Sequence, residues 1–289
     1  MSSPAIQWYP GHIAKAERQL QTQLNRVDVV LEVRDARIPL ATHHPSIQKW
    51  VGEKDRVLVL NRMDMISSEV RHQWDEWFRA QEDVPFFTDA KQGKGVGGVV
   101  QRAKAAGNSV NQRRRDRGML PRPVRAVVMG FPNVGKSALI NRLLKKKVVE
   151  SARRPGVTRQ LRWIRISKEL ELLDAPGVLP SQLEDQIAAL KLAICDDIGE
   201  AAYDNQRVAS SFIDVLKQLH ETHPDLCPVS TFVDRYGLDI TSMTGESYLI
   251  ALAREQYQND VERAARQLLN DYRKGVLGTL PLELPPSES

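Results

Sequence analysis

Val127-Val128-Met129-Gly130-Phe131-Pro132-Asn133-Val134-Gly135-Lys136-Ser137 decides how the rest of the chain is read. A valine-rich apolar run leads into Gly130, and Gly135-Lys136-Ser137 opens a helical pattern carried by Ala138, Leu139, Leu143 and Leu144. Strand, glycine-bounded loop and helix start, in that order, are the context of a phosphate-binding P-loop. Glycines let the backbone turn its N–H groups inward around a phosphate chain, and the helix N-terminus adds partial positive charge. In such a loop Val134, Gly135, Lys136, Ser137 and Ala138 surround the phosphates. Lys136 reaches the outer ones, and Ser137 gives its hydroxyl to Mg²⁺.

Upstream of this stretch, strand and helix patterns alternate. A helical pattern from Ile13 to Leu24 precedes Val27–Val33, a continuous apolar run with β-branched residues that reads as a strand buried on both faces. Arg56–Leu60 and Val84–Phe87 read as two further strands, and Trp74, Trp77 and Phe78 mark the inner side of a helix over 67–80. A helix from Val96 to about Ala106 is expected to lead into a basic linker around Arg113-Arg114-Arg115-Asp116-Arg117. Downstream, Leu161–Ile166 and Leu170–Leu173 read as a strand pair. Alternation of this kind argues a mostly parallel sheet with helices on both faces. From Leu183 onward only helical spacing appears, ending in a helix over 259–274 whose Val261, Ala264, Ala265, Leu268, Leu269 and Tyr272 share one side. Arg263, Arg266, Arg273 and Lys274 fall on another side. The expected organisation is an α/β domain over 1–180, an all-helical domain over 181–280, and a disordered proline-rich tail over 281–289.

The 289 residues are enough for two medium domains, and 42% hydrophobic with 27% charged residues is ordinary for a globular protein. No apolar run is long enough to span a membrane, and Met1–Pro10 lacks a secretory core, so a cytoplasmic protein without a membrane partner is expected. Two isolated cysteines, Cys195 and Cys227, suit a reducing compartment and sit in no metal-binding spacing. The net charge of +5 is modest but clustered, around Arg113–Arg125 and again in Lys145-Lys146-Lys147, Arg153-Arg154, Arg159 and Arg162. Clustered basic side chains attract polyanions, nucleic acid above all.

A P-loop does not choose a base; Asn61-Arg62-Met63-Asp64, at the end of a buried strand, can. A carboxylate at Asp64 accepts hydrogen bonds from guanine N1–H and the exocyclic amine, whereas adenine offers neither donor there and would leave it unpaired. Asn61 would bond the other edge of the base, and the Arg62 stem would lie on the ring. Asp174-Ala175-Pro176-Gly177 ends another strand: Asp174 would hold a water on Mg²⁺ and the Gly177 N–H would bond the γ-phosphate. Thr158, in a loop after Arg154-Pro155-Gly156, would offer Mg²⁺ a second hydroxyl.

Asn61–Asp64, Asp89-Ala90-Lys91, Gly130–Ser137, Thr158 and Asp174–Gly177 resemble the five GTPase motifs in permuted order. With Trp8-Tyr9-Pro10-Gly11-His12 and Asp35-Ala36-Arg37-Ile38-Pro39, the chain closely resembles the circularly permuted ribosome-biogenesis GTPases of the YlqF/RbgA type, from Ile6 to about Gly278. Permutation is tolerable when old termini are joined and a surface loop opened, because the same strands still pair. Arg62 stands where that family has lysine, Asp89 where serine or asparagine is commoner, and Ala175 in place of threonine. The resemblance implies a monomeric GTP-hydrolysing assembly factor for the large (50S) ribosomal subunit, stimulated by the particle and contacting ribosomal proteins and rRNA. The rRNA contact is expected through the helical domain over 181–280, with the basic face of its 259–274 helix, and through the Arg113 segment. Asp89 and Ala90 then join the nucleotide-binding set. Val178 follows Gly177 where signalling GTPases carry a water-orienting glutamine, so intrinsic turnover should be slow. The resemblance offers His12 as the water-positioning residue and Asn133 as a ligand to K⁺. Two other readings compete. Asp64 argues against an ATP-using P-loop enzyme, and the complete set Lys136, Ser137, Thr158 and Asp174 argues against a non-catalytic RNA-binding module.

Overall fold

Val29, Leu31 and Val33 face one side of a sheet and Val30 the other, and all four are buried, which is why this run carries no polar alternation. The computed structural model describes residues 22–144, 162–174, 185–199 and 203–286. Strands β1 (Val29–Asp35), β2 (Asp55–Asn61), β3 (Pro85–Thr88), β4 (Val124–Met129), β5 (Arg162–Arg165) and β6 (Leu170–Asp174) form one sheet in the order β3-β2-β1-β4-β6-β5. Every pairing is parallel except β5 with β6.

The described helices are α1 (Ile47–Val51), α2 (Ser68–Ala80), α3 (Val96–Asp116), α4 (Lys136–Leu143), α5 (Gln186–Cys195), α6 (Asn205–Thr222), α7 (Ser230–Tyr236), α8 (Gly245–Gln256) and α9 (Val261–Arg273). On one sheet face Leu31, Val57, Val59 and Val128 meet Val99 and Ala103 of α3 and Leu139 and Ile140 of α4. On the other, Val30 and Val127 meet Ile47 and Trp50, while Leu58 and Leu60 meet Val70, Trp74 and Phe78. The first core continues without a break into α5–α9, through residues such as Leu192, Phe212, Leu252 and Leu268.

From β1 the chain moves outward through β2 to β3, then returns to start β4 on the other side of β1, crosses to the edge strand β5 and folds back as β6 beside β4. The carboxyl ends of β1 and β4 therefore flank a topological switch point, where open parallel sheets bind ligands. The loops that follow β2, β3 and β4 all leave from this same edge.

Three details differ from the sequence reading. The 96–106 helix does not stop before the basic run: nothing breaks it until Gly118, whose φ is +68°, so Arg113–Arg115 are helical. Glu32, in the middle of β1, is a buried charge, held by Arg34 Nε and Arg56 Nη1 at 2.6 Å each and by His43 Nδ1 at 3.2 Å. Burial alone would raise its pKa, but the His43 hydrogen bond and the arginines hold it well below the usual carboxylate range.

The third is the tail, which is ordered over its described part. The Leu282 and Glu283 N–H groups donate to Arg37 O at 3.1 and 3.2 Å, and Leu282 is buried. The Glu283 carboxylate accepts from Leu40 N at 2.8 Å, from Ala41 N at 3.2 Å and from Lys191 Nζ at 3.2 Å. Proline content suggested disorder, but an apolar side chain and a hydrogen-bonded carboxylate anchor the segment. Deleting residues 281–289 should therefore lower stability by about 3 kcal/mol or more, the cost of one buried leucine and of the five hydrogen bonds made by Leu282 and Glu283. Thermal unfolding should show a Tm about 5–10 °C lower; an unchanged Tm would mean that these contacts carry no stability.

Candidate functional site

β4 delivers the chain into Gly130, whose φ of +148° and proximity to β1 exclude a side chain: a Cβ would stand 2.1 Å from Val33 O. Asn133 takes the left-handed region at φ +58°, which asparagine tolerates. Gly135, at φ +101°, leaves no room either, since a Cβ would lie 2.1 Å from Asn61 Nδ2. α4 then starts at Lys136 without a side-chain cap, so its first N–H groups remain for an anion. Lys136 is 7% exposed, and its Nζ donates to Phe131 O at 2.6 Å and Gly130 O at 3.2 Å. The ammonium thus sits inside the curl of the loop, with Ser137 and Ala138 following it on the helix. The loop has the cradle shape and the uncapped helix start that a phosphate chain needs.

Asn61 is the peg between this cradle and the neighbouring loops. Its Nδ2 donates to Val134 O at 2.8 Å, while Oδ1 accepts from Thr88 Oγ1 at 3.1 Å and Ala90 N at 3.0 Å. Through these bonds the Asn61 amide, expected at the edge of the base, also ties the ends of β2 and β3 to the P-loop. Asp89 closes the next turn, its Oδ1 accepting from Lys91 N at 2.9 Å and Gln92 N at 3.0 Å. Arg142 of α4 donates to the Lys91 carbonyl, binding that turn to the P-loop helix. A 3₁₀ turn over Met63–Met65 leaves the Asp64 carboxylate exposed beside these loops.

Arg62, also left-handed at φ +64°, turns its guanidinium toward the P-loop and the end of β1. Its Nη2 donates to Asn133 O at 2.6 Å and its Nη1 lies 3.1 Å from Asp35 Oδ2. Asp35 and Arg37 are fully buried and joined in a fork, Nε to Oδ1 at 3.0 Å and Nη2 to Oδ2 at 2.7 Å. Asp197 lies at the edge of the same cluster. Burial would raise both carboxyls. Arg37 and Arg62 outweigh it at Asp35, whose pKa is lowered, whereas at Asp197 burial and the neighbouring Asp35 prevail and push it well up. Asn133 Nδ2 donates to Asp196 O at 2.6 Å, and Arg37 stacks over Tyr272 at 5.2 Å. The P-loop is thereby tied to the end of α5, and β1 to α9.

Asn61 at the end of β2, Arg62, Asp64, Asp89, Ala90, Asn133, Val134 and Gly135 in the loops that follow, and Lys136, Ser137 and Ala138 at the start of α4 thus all stand at one sheet edge. Asp174 ends β6, paired in register with Val128. His12, Thr158 and Gly177 lie outside the described residues. Sequence reasoning missed Thr88, Arg142, Asp35 and the Asp196-Asp197 pair. The motif Asp35-Ala36-Arg37 was visible as a string but not as a buried ion pair, and nothing local marks Asp197.

Residues 125–226 match the family model described as 50S ribosome-binding GTPase, a match that begins at the P-loop strand and leaves the base-side motifs of 61–64 and 89–91 ahead of it. Ribosome biogenesis GTPase A of Priestia megaterium is 34% identical over 98% of this chain and 98% of its own. The protein of the same name from Bacillus cereus is 33% identical, over 97% of this chain and 94% of its own. The crystal structure of GNP-bound YlqF from T. maritima superposes with a TM-score of 0.65 over 94% of this chain and 98% of that one, at 22% identity, a likeness of fold. By its P-loop, by the base-side loops that precede it in sequence yet join it in space, and by full-length similarity, this chain belongs to the circularly permuted GTPases of the ribosome biogenesis GTPase A family.

Proposed function

We propose that this protein binds GTP across the β2–β1–β4 edge and hydrolyses it as an assembly factor for the large ribosomal subunit, with turnover stimulated by the particle. The observation that supports this most is Asn61, which joins the P-loop carbonyl of Val134 to Ala90 and Thr88 and so makes phosphate cradle and base-side loops one site. Asp64 reads guanine, Lys136 and the α4 amides hold the phosphates, and Gly177 bonds the outer one.

The donor set suits Mg²⁺, a hard cation that takes oxygen ligands: Ser137 starts the helix at the cradle and Asp174 ends the neighbouring strand, with Thr158 as a further hydroxyl. Bound there, Mg²⁺ neutralises charge on the phosphates. The residue that positions water is His12, and Asn133, fixed through Asp196 O, takes K⁺ beside the phosphates. Val178, apolar where signalling GTPases carry a glutamine, cannot orient the attacking water, so the isolated protein turns over slowly. GTP favours the subunit-docked form and GDP the released one.

Phosphate release measured with and without 50S subunits, in K⁺ and in Na⁺, tests this reading. The expected result is slow hydrolysis alone and at least about tenfold stimulation by subunits, as when a missing catalytic group is supplied by a partner. Equal rates with and without subunits would overturn it.

A further inference from the structure

Helix α3 outruns the sheet it packs on. Its last buried residues are Ala106 and Gly107, where Gly107 lies so close to β4 that a Cβ would stand 1.8 Å from Val124 Cγ2. Beyond them the turns 108–116 bury nothing. The helix begins after β3, at the nucleotide edge, and runs back to the start of β4. At about 1.5 Å per residue its tip stands roughly 30 Å from its first turn, at the opposite edge of the sheet.

That tip carries Arg113, Arg114, Arg115 and Arg117 against a single acid, Asp116, which accepts from Gln112 Nε2 at 2.9 Å. Among the described residues none of the four arginines is in an ion pair. The partners described for Arg113, Arg114 and Arg115 are neutral oxygens: Ser109 O, Leu120 O and Gln112 Oε1. Among the described residues, the carboxylates of Asp28, Glu169 and Glu171 beside β1, β4 and β6 are matched by Arg122, Lys104 and Arg125.

The tip is nonetheless held firmly. Asn111 and Arg122 exchange two hydrogen bonds, Nδ2 to O and N to Oδ1, each 3.0 Å. The Arg122 fork closes on Asp28 at 2.7 and 2.8 Å. Gly118 turns the chain, and Met119 N returns to Arg114 O at 2.9 Å. Leu120, 83% exposed, is left at the apex. Holding like charges together costs electrostatic free energy, which the helix C-terminus offsets only in part. A helix end needed for solubility alone gains nothing from such bracing.

The basic side of α9 is different. Arg266 pairs with Glu262 at 2.7 Å, Arg263 lies over Tyr257, and Arg273 donates to Ala193 O and Ile194 O. Arg273 thus ties α9 to α5, and Arg263 and Arg266 are engaged within α9 and the turn before it.

We infer that the braced arginine tip of α3 is an RNA-backbone contact surface, placed at the far edge of the sheet from the nucleotide. The identity of the polyanion rests on the ribosome-assembly reading; the surface itself rests on charge and geometry. The contact is phosphate-led and so indifferent to base sequence. The full-length protein, titrated into a labelled mixed-sequence RNA duplex of about 20 base pairs over a range of KCl, tests it. The triple variant Arg113→Gln, Arg115→Gln, Arg117→Gln should bind roughly 10- to 100-fold more weakly at low salt, with the slope of log K against log salt reduced by about 2–3. Its GDP affinity should stay within about twofold, because the tip is remote from the cradle. The double variant Arg263→Gln, Lys274→Gln should change RNA binding less.

If the triple variant keeps both the affinity and the salt slope of the parent, or if the parent does not bind the duplex, the proposal is overturned. It is also overturned if poly-glutamate, offered as an acidic-protein mimic, binds in a tip-dependent way and RNA does not. Subunit-stimulated GTP hydrolysis that persists in any of these cases leaves the assembly reading standing and removes only the surface.

Discussion

Replacing Lys136 by alanine should lower the rate of GTP hydrolysis about 10³-fold or more, in single-turnover assays with or without ribosomal subunits. Phosphoryl transfer demands positioning and charge stabilisation rather than covalent help, so a fixed cation beside the outer phosphates supplies much of what the protein can offer. Removing one preorganised stabiliser from a desolvated site typically costs 10²–10³ in rate. Lys136 does more than carry charge. Its Nζ also bonds Gly130 O and Phe131 O, so the ammonium organises the loop that is proposed to hold the phosphates. Alanine would lose both effects, and nucleotide affinity should fall with the rate. Lys136→Arg separates them: charge is kept, but a planar guanidinium does not fit a site 7% exposed between two loop carbonyls, so most activity should still be lost. Hydrolysis by Lys136→Ala within about tenfold of the parent would mean that phosphates do not lie in this loop.

What could be read in the chain and what could not follow from one distinction. Strands β1, β2 and β4 are buried on both faces, so their apolar runs announce themselves, and the P-loop is local: glycines, lysine and helix start are consecutive. Lateral strand order was reachable only through the motifs, because loops that share a ligand must leave one edge. Interactions between side chains distant in sequence had no local sign. Asn61 reads as a base contact in a four-residue motif, yet its partners are Val134, Thr88 and Ala90. Arg62 reads as a stem for the base, yet it bonds Asn133 O and approaches Asp35. The Arg113 run reads as a linker because helix propensity is weak evidence against a block of like charge. The clasp that continues α3 to Asp116 depends on Asn111 and Arg122, eleven residues apart.

The Asp64→Asn variant should lose its preference for guanine. The motif places this carboxylate on a 3₁₀ turn directly after the Asn61 peg, exposed at the edge where the base must lie if the phosphates occupy the cradle. Guanine presents two donors, N1–H and the exocyclic amine, and a carboxylate accepts both. Hydrogen bonds to a charged acceptor contribute roughly 1.5–3 kcal/mol each. An amide in its place keeps one acceptor and turns a donor toward a donor, so GDP affinity should fall roughly 10²–10³-fold. The same change should favour xanthine, whose second position carries a carbonyl that the new amide can serve, so xanthosine diphosphate should bind Asp64→Asn better than it binds the parent. Competition titrations with GDP, xanthosine diphosphate and ADP measure this. Asn61→Ala provides the contrast: a peg that holds loops together should weaken all three nucleotides by similar factors, whereas a reader of the base changes their order. GDP affinity kept within about threefold in Asp64→Asn, with no gain for the xanthine form, would move the base away from this carboxylate.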